Sequence, residues 1–253
     1  MFATLKSEFL KLITVRSTYI LTALVLVGAM LLSYFIFGRE QEAFASSNPL
    51  FLRDAMYTML GVFATFSAIV AILLVTHEYR YNLISYTLTA ASRRSKVFVA
   101  KAIILIGYTL VIGAVVAAIG YFGAKAGVAS TGAVLAPQDI PVWTTIWQFG
   151  AYAVGYTLVG FVLGVLLRSV VGAIVLFFMF PIAEQMMGLL LKDNTKYLPF
   201  QALERIGATP GSQMAGPTTT GDLTSLAALG VFAIYLAIAG IVAFVLFVRR
   251  DAN

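Results

Sequence analysis

The chain has no cysteine and only one histidine, His77, among its 253 residues. Without cysteine it has no disulfide, thiolate metal site or thiol nucleophile. A single histidine is too few for a zinc protease, and no serine or aspartate is obviously arranged with it for nucleophilic catalysis. Charge is scarce too, at 11% of residues against roughly 25% in soluble proteins. These shortages exclude a disulfide scaffold and a cytosolic enzyme.

Apolar residues make up 60% of the chain, and the mean hydropathy is +0.94. A membrane-spanning helix needs roughly 20 apolar residues, and six stretches meet this requirement. Their continuous apolar character favours helices over barrel strands, which alternate. The predicted fold is therefore an all-α membrane protein forming one transmembrane domain over 1–253. The predicted spans are about 17–37, 57–76, 97–121, 143–167, 170–191 and 226–248.

The distribution of charge predicts the orientation. With six spans, the N-terminus, the 77–96 connection, the turn at Arg168 and the C-terminus share one side. That side carries 11 of the 17 basic residues and three acidic ones, for a net charge of +8. The opposite side has a net charge of −1. The positive-inside rule then places both termini in the cytoplasm, so the overall charge of +6 indicates membrane topology and no nucleic-acid partner.

The first 16 residues have apolar side chains at helical spacing, with Lys6, Ser7, Glu8 and Lys11 largely on the other side. This pattern predicts a helix lying in the cytoplasmic interface of the lipid bilayer. The alternative is a charged flank that only orients the first span.

The 77–96 connection is the longest on the predicted cytoplasmic side, and its middle is half apolar but too short to span. Such a segment lies in the interface or docks on another protein. On the outer side, the 192–225 loop begins with a short amphipathic stretch at 198–203 and continues as a tract of glycine, proline and threonine, which is typical of a loop.

Glu184 is the only acidic residue inside a predicted span, about 14 residues into the fifth, close to Pro181 and Gln185. A carboxylate at mid-bilayer costs about 2.5–3.5 kcal/mol and normally faces the bundle or a wet cavity. Two roles remain open: the lining or hinge of a transport path, or a tie between helices near the outer surface. In the fourth span, Gly160 and Gly164 form a small-xxx-small motif, which predicts close helix packing.

Three segments together resemble the membrane subunit of ABC-2-type exporters. LKSEFLKLITVRSTYIL is similar to the family's opening, in which a Glu-Phe-x-Lys element precedes an arginine. HEYRYNLISYTLTAASRRSKVFVAK resembles its cytoplasmic coupling region, although Asn82-Leu83 and Ser92 depart from the Gly-Thr and Pro that are frequent there. The third segment, around Arg168-Ser169, Pro181 and Glu184, resembles the pattern of spans four and five.

The resemblance implies a subunit of an exporter in the plasma (inner) membrane, moving an amphipathic or hydrophobic substrate such as a drug, peptide or lipid. Two ATP-binding cassette subunits would hydrolyse ATP with Mg, because this chain has no GxxxxGK[ST] motif, and a second permease subunit, identical or related, would complete the complex. The chain itself is expected to be no enzyme and to bind no cofactor or metal. The implied coupling residues are Glu78, Tyr79, Arg80, Leu83, Leu88, Arg93 and Arg94. The implied interfacial-helix residues are Phe2, Leu5, Glu8, Phe9, Lys11 and Arg16.

Two other classes of function remain open. One is a non-transporting membrane assembly factor or sensor, whose six helices hold a partner. The other is a membrane-embedded enzyme that uses Glu184. An ATPase subunit that co-purifies with the chain would separate the exporter from both.

Overall fold

The computed structural model describes residues 2–80, 94–207 and 223–249, and every regular element in these ranges is helical. The elements, in chain order, are α1 (Phe2–Thr14), α2 (Arg16–Leu32), a π-helix (Ser33–Glu40), α3 (Glu42–Ala45), α4 (Phe51–Arg80), α5 (Arg94–Thr131), α6 (Val142–Leu167), α7 (Val170–Leu191), a 3-10 helix (Lys192–Tyr197), α8 (Pro199–Gly207) and α9 (Ser225–Arg249).

Six helical segments of the described chain are long and apolar enough to cross a membrane, which confirms the predicted multi-pass helical protein. They are Arg16–Glu40, Phe51–Tyr79, Arg94–Thr131, Val142–Leu167, Val170–Gly188 and Ser225–Arg249.

Two of these helices extend well beyond their predicted spans. α4 begins at Phe51 instead of 57, so that Arg53 and Asp54, predicted to lie in a loop, are buried in its first turn. α5 continues to Thr131 instead of ending at 121, which makes the first part of the predicted outer loop helical. Charged residues near the ends of α4 and α5 made the predicted spans too short, because hydropathy cannot register polar groups that find partners within the bundle.

The core of the bundle lies between α4 and α6. Within each helix's most apolar stretch, 61% of residues are buried in both α4 and α6, against 17–28% in the other four spans. Gly160 on α6 lies directly against the backbone of Ala68 on α4, and Gly164 lies against Ile72 one turn further along. The close helix packing predicted from this glycine pair is thus present, and its partner is α4.

A second close approach joins the π-helix to the extended part of α5. Gly38 and Gly127 meet backbone to backbone, and Gly123 lies against Ser33. A side chain at either Gly38 or Gly127 would overlap the other helix. This contact explains why α5 continues as a helix past residue 121.

The bundle has two distinct ends. We call the end that holds α1, the 80–94 boundary, Arg168 and Arg249 the termini end. The other, which holds α3 and α8, is the loop end. α8 packs against α6, α7 and α9, with Phe200, Leu203 and Ile206 buried. It coincides with the amphipathic stretch predicted at 198–203.

Candidate functional site

A ring of four charged side chains is buried at the termini end. Lys101 on α5 donates to Glu8 Oε2 at 2.6 Å and to Glu78 Oε1 at 2.7 Å. Lys11 on α1 donates to Glu8 Oε1 and to the same Glu78 oxygen, both at 2.7 Å. Each lysine therefore bridges both carboxylates. The ring joins α1, the end of α4 and the first turns of α5.

Burial of this ring is nearly complete. Glu8 and Lys101 are each 1% exposed and Glu78 is 6% exposed, whereas Lys11 is half-buried. Taking charges out of water costs several kcal/mol per ion, and closely spaced opposite charges offset that cost. Desolvation lowers the pKa of Lys11, but attraction and hydrogen bonds from Glu78 and Glu8 outweigh it and raise the pKa above the ordinary value. Lys11 therefore stays charged at neutral pH.

The helix ends that border residues 81–93 make two further contacts at the termini end. The Arg168 guanidinium, at the turn between α6 and α7, lies 4.8 Å from the centre of the Tyr79 ring, and Arg168 adopts the left-handed conformation there, with φ of 52°. Arg94 Nη1 approaches the Val248 carbonyl near the end of α9 at 3.5 Å. Glu78 and Tyr79 on one side, with Arg94 and Lys101 on the other, thus connect this segment's ends to α1, the α6–α7 turn and α9.

The structure brings together residues that the sequence assigned to two separate groups. Glu8 and Lys11 were expected on the polar face of the interfacial helix, and Glu78 in the coupling connection. Glu8 differs from that expectation, because it faces the protein and pairs with Lys101. The exposed side chains of α1 include the apolar Phe9, Leu10 and Ile13.

Sequence reasoning misses Lys101 as a site residue and treats it only as a positive charge that sets orientation. Its position four residues into the third predicted span was a usable signal, because a lysine inside a span normally has a partner. Several predicted residues lie outside the description: the residues Leu83, Leu88 and Arg93, and the side chains of Phe2 and Arg80. Leu5 is half-buried and Arg16 is exposed.

At the loop end, Glu184 holds the beginning of α8. Its carboxylate accepts hydrogen bonds from the backbone N–H of Phe200, at 3.0 and 3.1 Å, and of Gln201, at 3.0 Å. These N–H groups belong to the first turn, where a helix has no internal acceptors for them and where its dipole favours a negative charge. Of the two roles left open for Glu184, these contacts are those of a tie between helices. Gln185 is exposed, and α7 continues through Pro181.

The other end of α8 is held by Arg53 from α4. Arg53 Nη2 donates to the Gly207 carbonyl at 2.8 Å and to Gln148 Oε1 at 2.9 Å. A cation at the C-terminus of a helix is as favourable as an anion at its N-terminus. α8 is therefore fixed at both ends by charges that complement its dipole, one from α7 and one from α4.

Comparison with protein families gives one match, which covers most of the chain. Residues 26–252 match the family described as "Protein of unknown function (DUF2705)". A comparison with curated proteins finds no match. The family match takes in all six spans apart from the first ten residues of the first, and it leaves out α1. Because it covers far more than half of the sequence, this chain belongs to the DUF2705 family.

Proposed function

We propose that this chain is the membrane-spanning permease subunit of an ATP-driven exporter of the ABC-2 type, with both termini in the cytoplasm. The observation that carries this proposal is the four-charge ring. It fixes both helices that border residues 81–93 to α1, at the end of the bundle where a cytoplasmic partner would dock. A push on this segment would therefore reach α1, α4 and α5 together.

The arrangement of α4 supports a path from the termini end to the loop end. α4 is an uninterrupted helix of 30 residues, about 45 Å long at 1.5 Å per residue. Glu78 in its last turn belongs to the ring, and Arg53 in its first turn holds α8. Since α4 is also one of the two most buried spans, a displacement at one end is transmitted to the other through a packed helix.

The proposed complex places ATP and Mg on two partner subunits and pairs this chain with a second permease subunit. The substrate class follows from the character of the bundle, whose surfaces are largely apolar: an amphipathic or hydrophobic compound. Reciprocal coupling then requires that the transported substrate change ATP turnover in the partner.

The first experiment identifies the protein that co-purifies with the chain in mild detergent. We expect an ATP-binding cassette subunit in a ratio of one per permease chain. A preparation with no ATPase subunit, in which the chain retains a different partner, would refute the exporter and favour the assembly or sensor role.

Two sets of variants then separate docking from coupling in the purified complex. Arg93→Ala with Arg94→Ala removes basic residues at the edge of the predicted docking segment, and we expect less ATPase subunit to be recovered. Glu78→Gln with Lys101→Met removes one positive and one negative charge from the ring. This double variant should retain the ATPase subunit but lose the dependence of its turnover on substrate.

A matched control is Lys125→Met, which removes an exposed lysine from α5 far from the ring. The control should match the unmodified complex in both recovery and turnover. Unchanged recovery in the arginine variant, together with unchanged substrate dependence in the ring variant, would overturn the assignment of this end as the coupling site.

A further inference from the structure

An apolar cleft opens on the side of the bundle between α4, α5 and α6, toward the loop end. Its volume is about 430 Å³, within the range of ligand sites in proteins. Leu60, Ala114, Ala118 and Gly150 are among the residues that line it, and the exposed side chains of Leu110 and Ile146 lie at its opening. The cleft thus faces sideways, toward the hydrocarbon of the bilayer.

The occupant of such a cleft is limited by its surroundings. Its walls are almost entirely apolar, so water has few partners there, and an apolar cavity does not favour water. A methylene group is close in size to a water molecule, whose share of volume is about 30 Å³. The cleft therefore accommodates on the order of fourteen methylene groups, about one acyl chain.

A buried guanidinium lies directly behind the wall of the cleft. Arg53 is 0% exposed. Its Nε donates to Thr145 Oγ1 at 3.3 Å, and its guanidinium lies 5.3 Å from the centre of the Phe149 ring. Thr145 and Phe149 both line the cleft. The positive charge is therefore separated from the cleft by the thickness of one side chain.

The hydrogen bonding of this guanidinium is incomplete within the described chain. Nε and Nη2 bond three neutral acceptors, on Thr145, Gln148 and Gly207, whereas Nη1 has no partner there. A buried guanidinium that bonds neutral oxygens keeps its charge, and its field extends into low-dielectric surroundings. An anionic group above the cleft is therefore favoured over a neutral one.

We propose that the cleft is a binding site for an anionic membrane lipid from the leaflet at the loop end. One acyl chain fills the cleft, and the headgroup lies at its upper end, where the field of Arg53 is strongest. This site does not depend on the proposed transport function, because it follows from the cleft, its opening and the buried charge alone. A lipid held here would pack against the helix that carries Arg53.

A native fluorescent probe allows a direct test. The chain has two tryptophans, and Trp143 lies on the same face of α6 as the cleft residues Ile146 and Gly150, at i+3 and i+7, with 84% of its side chain exposed. In a Trp147→Phe background, Trp143 is the single fluorophore. The full chain is reconstituted in phosphatidylcholine vesicles that contain a small fraction of lipid with brominated acyl chains, which quench tryptophan on contact.

We expect brominated phosphatidylglycerol to quench Trp143 more than brominated phosphatidylcholine at the same mole fraction. A preference of roughly two- to fivefold in relative binding corresponds to one weakly screened charge interaction. Equal quenching by the two lipids would overturn the proposal. So would the absence of quenching by either, since the cleft would then be covered by another protein surface, such as a second copy of the chain.

Two variants separate the chain-binding cleft from the charge. Ala118→Phe fills the cleft from an exposed lining position and should abolish the preference, whereas the matched Ala237→Phe, on the exposed face of α9, should leave it unchanged. Arg53→Gln should remove the preference for phosphatidylglycerol while leaving the quenching by brominated phosphatidylcholine. Persistence of the full preference in both Ala118→Phe and Arg53→Gln would show that neither the cleft nor the charge is the cause.

Discussion

Replacing Lys101 with methionine tests whether the buried ring holds the termini end together. The substitution retains a long unbranched side chain but removes the charge that bridges Glu8 and Glu78, at 2.6 and 2.7 Å. Lys11 alone would then face two carboxylates, one of them fully buried. Removing one partner from a buried ionic group costs about 3–5 kcal/mol.

The expected effect is large enough to measure by thermal unfolding in detergent. For a chain of 150–250 residues, Tm changes by about 2–4 °C per kcal/mol. Lys101→Met should therefore lower Tm by roughly 6–20 °C, followed by the fluorescence of the two native tryptophans at one fixed scan rate. Lys125→Met, the exposed control on the same helix, should change the stability by no more than about 0.5 kcal/mol.

A second variant distinguishes loss of the ion pair from loss of packing. Adding Glu78→Gln to Lys101→Met removes one negative charge together with the positive one, and leaves Glu8 paired with Lys11. The double variant should therefore be more stable than Lys101→Met alone, by an interaction energy of about 0.5–3 kcal/mol. If the two losses simply add, or if Lys101→Met unfolds at the same temperature as the control, the reasoning about the ring is refuted.

Two further substitutions test the helix contacts. Gly160→Leu places a side chain against the Ala68 backbone and should destabilise the fold by about 1–3 kcal/mol or more; Gly240→Leu, where nothing lies within 4 Å, should be tolerated, and equal yields of folded protein from both would contradict the packing argument. Glu184→Ala leaves the two N–H groups at the start of α8 without their acceptor, at a cost of about 1–3 kcal/mol, measured as faster proteolysis near α8. The exposed Gln185→Ala is its control and should be cleaved at the unmodified rate.

Most of the transmembrane architecture was predictable from the sequence. Continuous apolar runs of about 20 residues can satisfy their backbone groups in a bilayer only as helices, so six spans follow from hydropathy alone. The glycine spacing at Gly160 and Gly164 likewise predicted close packing, because residues four apart share a helix face. Hydropathy placed the start of α4 and the end of α5 less well, because there the buried polar residues and the glycine contacts with the π-helix depend on neighbouring helices.

The sequence by itself determined the helical membrane class, the number of spans and the uneven charge between the two sides, because these depend on local composition. Only the tertiary structure decided which charges meet. Glu8 and Lys101 are 93 residues apart, and Arg53 and Gly207 are 154 apart, so no local pattern joins them. The same charges that predict orientation are, in the folded chain, the ring at one end and the two ties of α8 at the other. The physical reason is that a buried ion is stable only beside an opposite charge or a suitably oriented dipole, and folding alone brings that partner within reach.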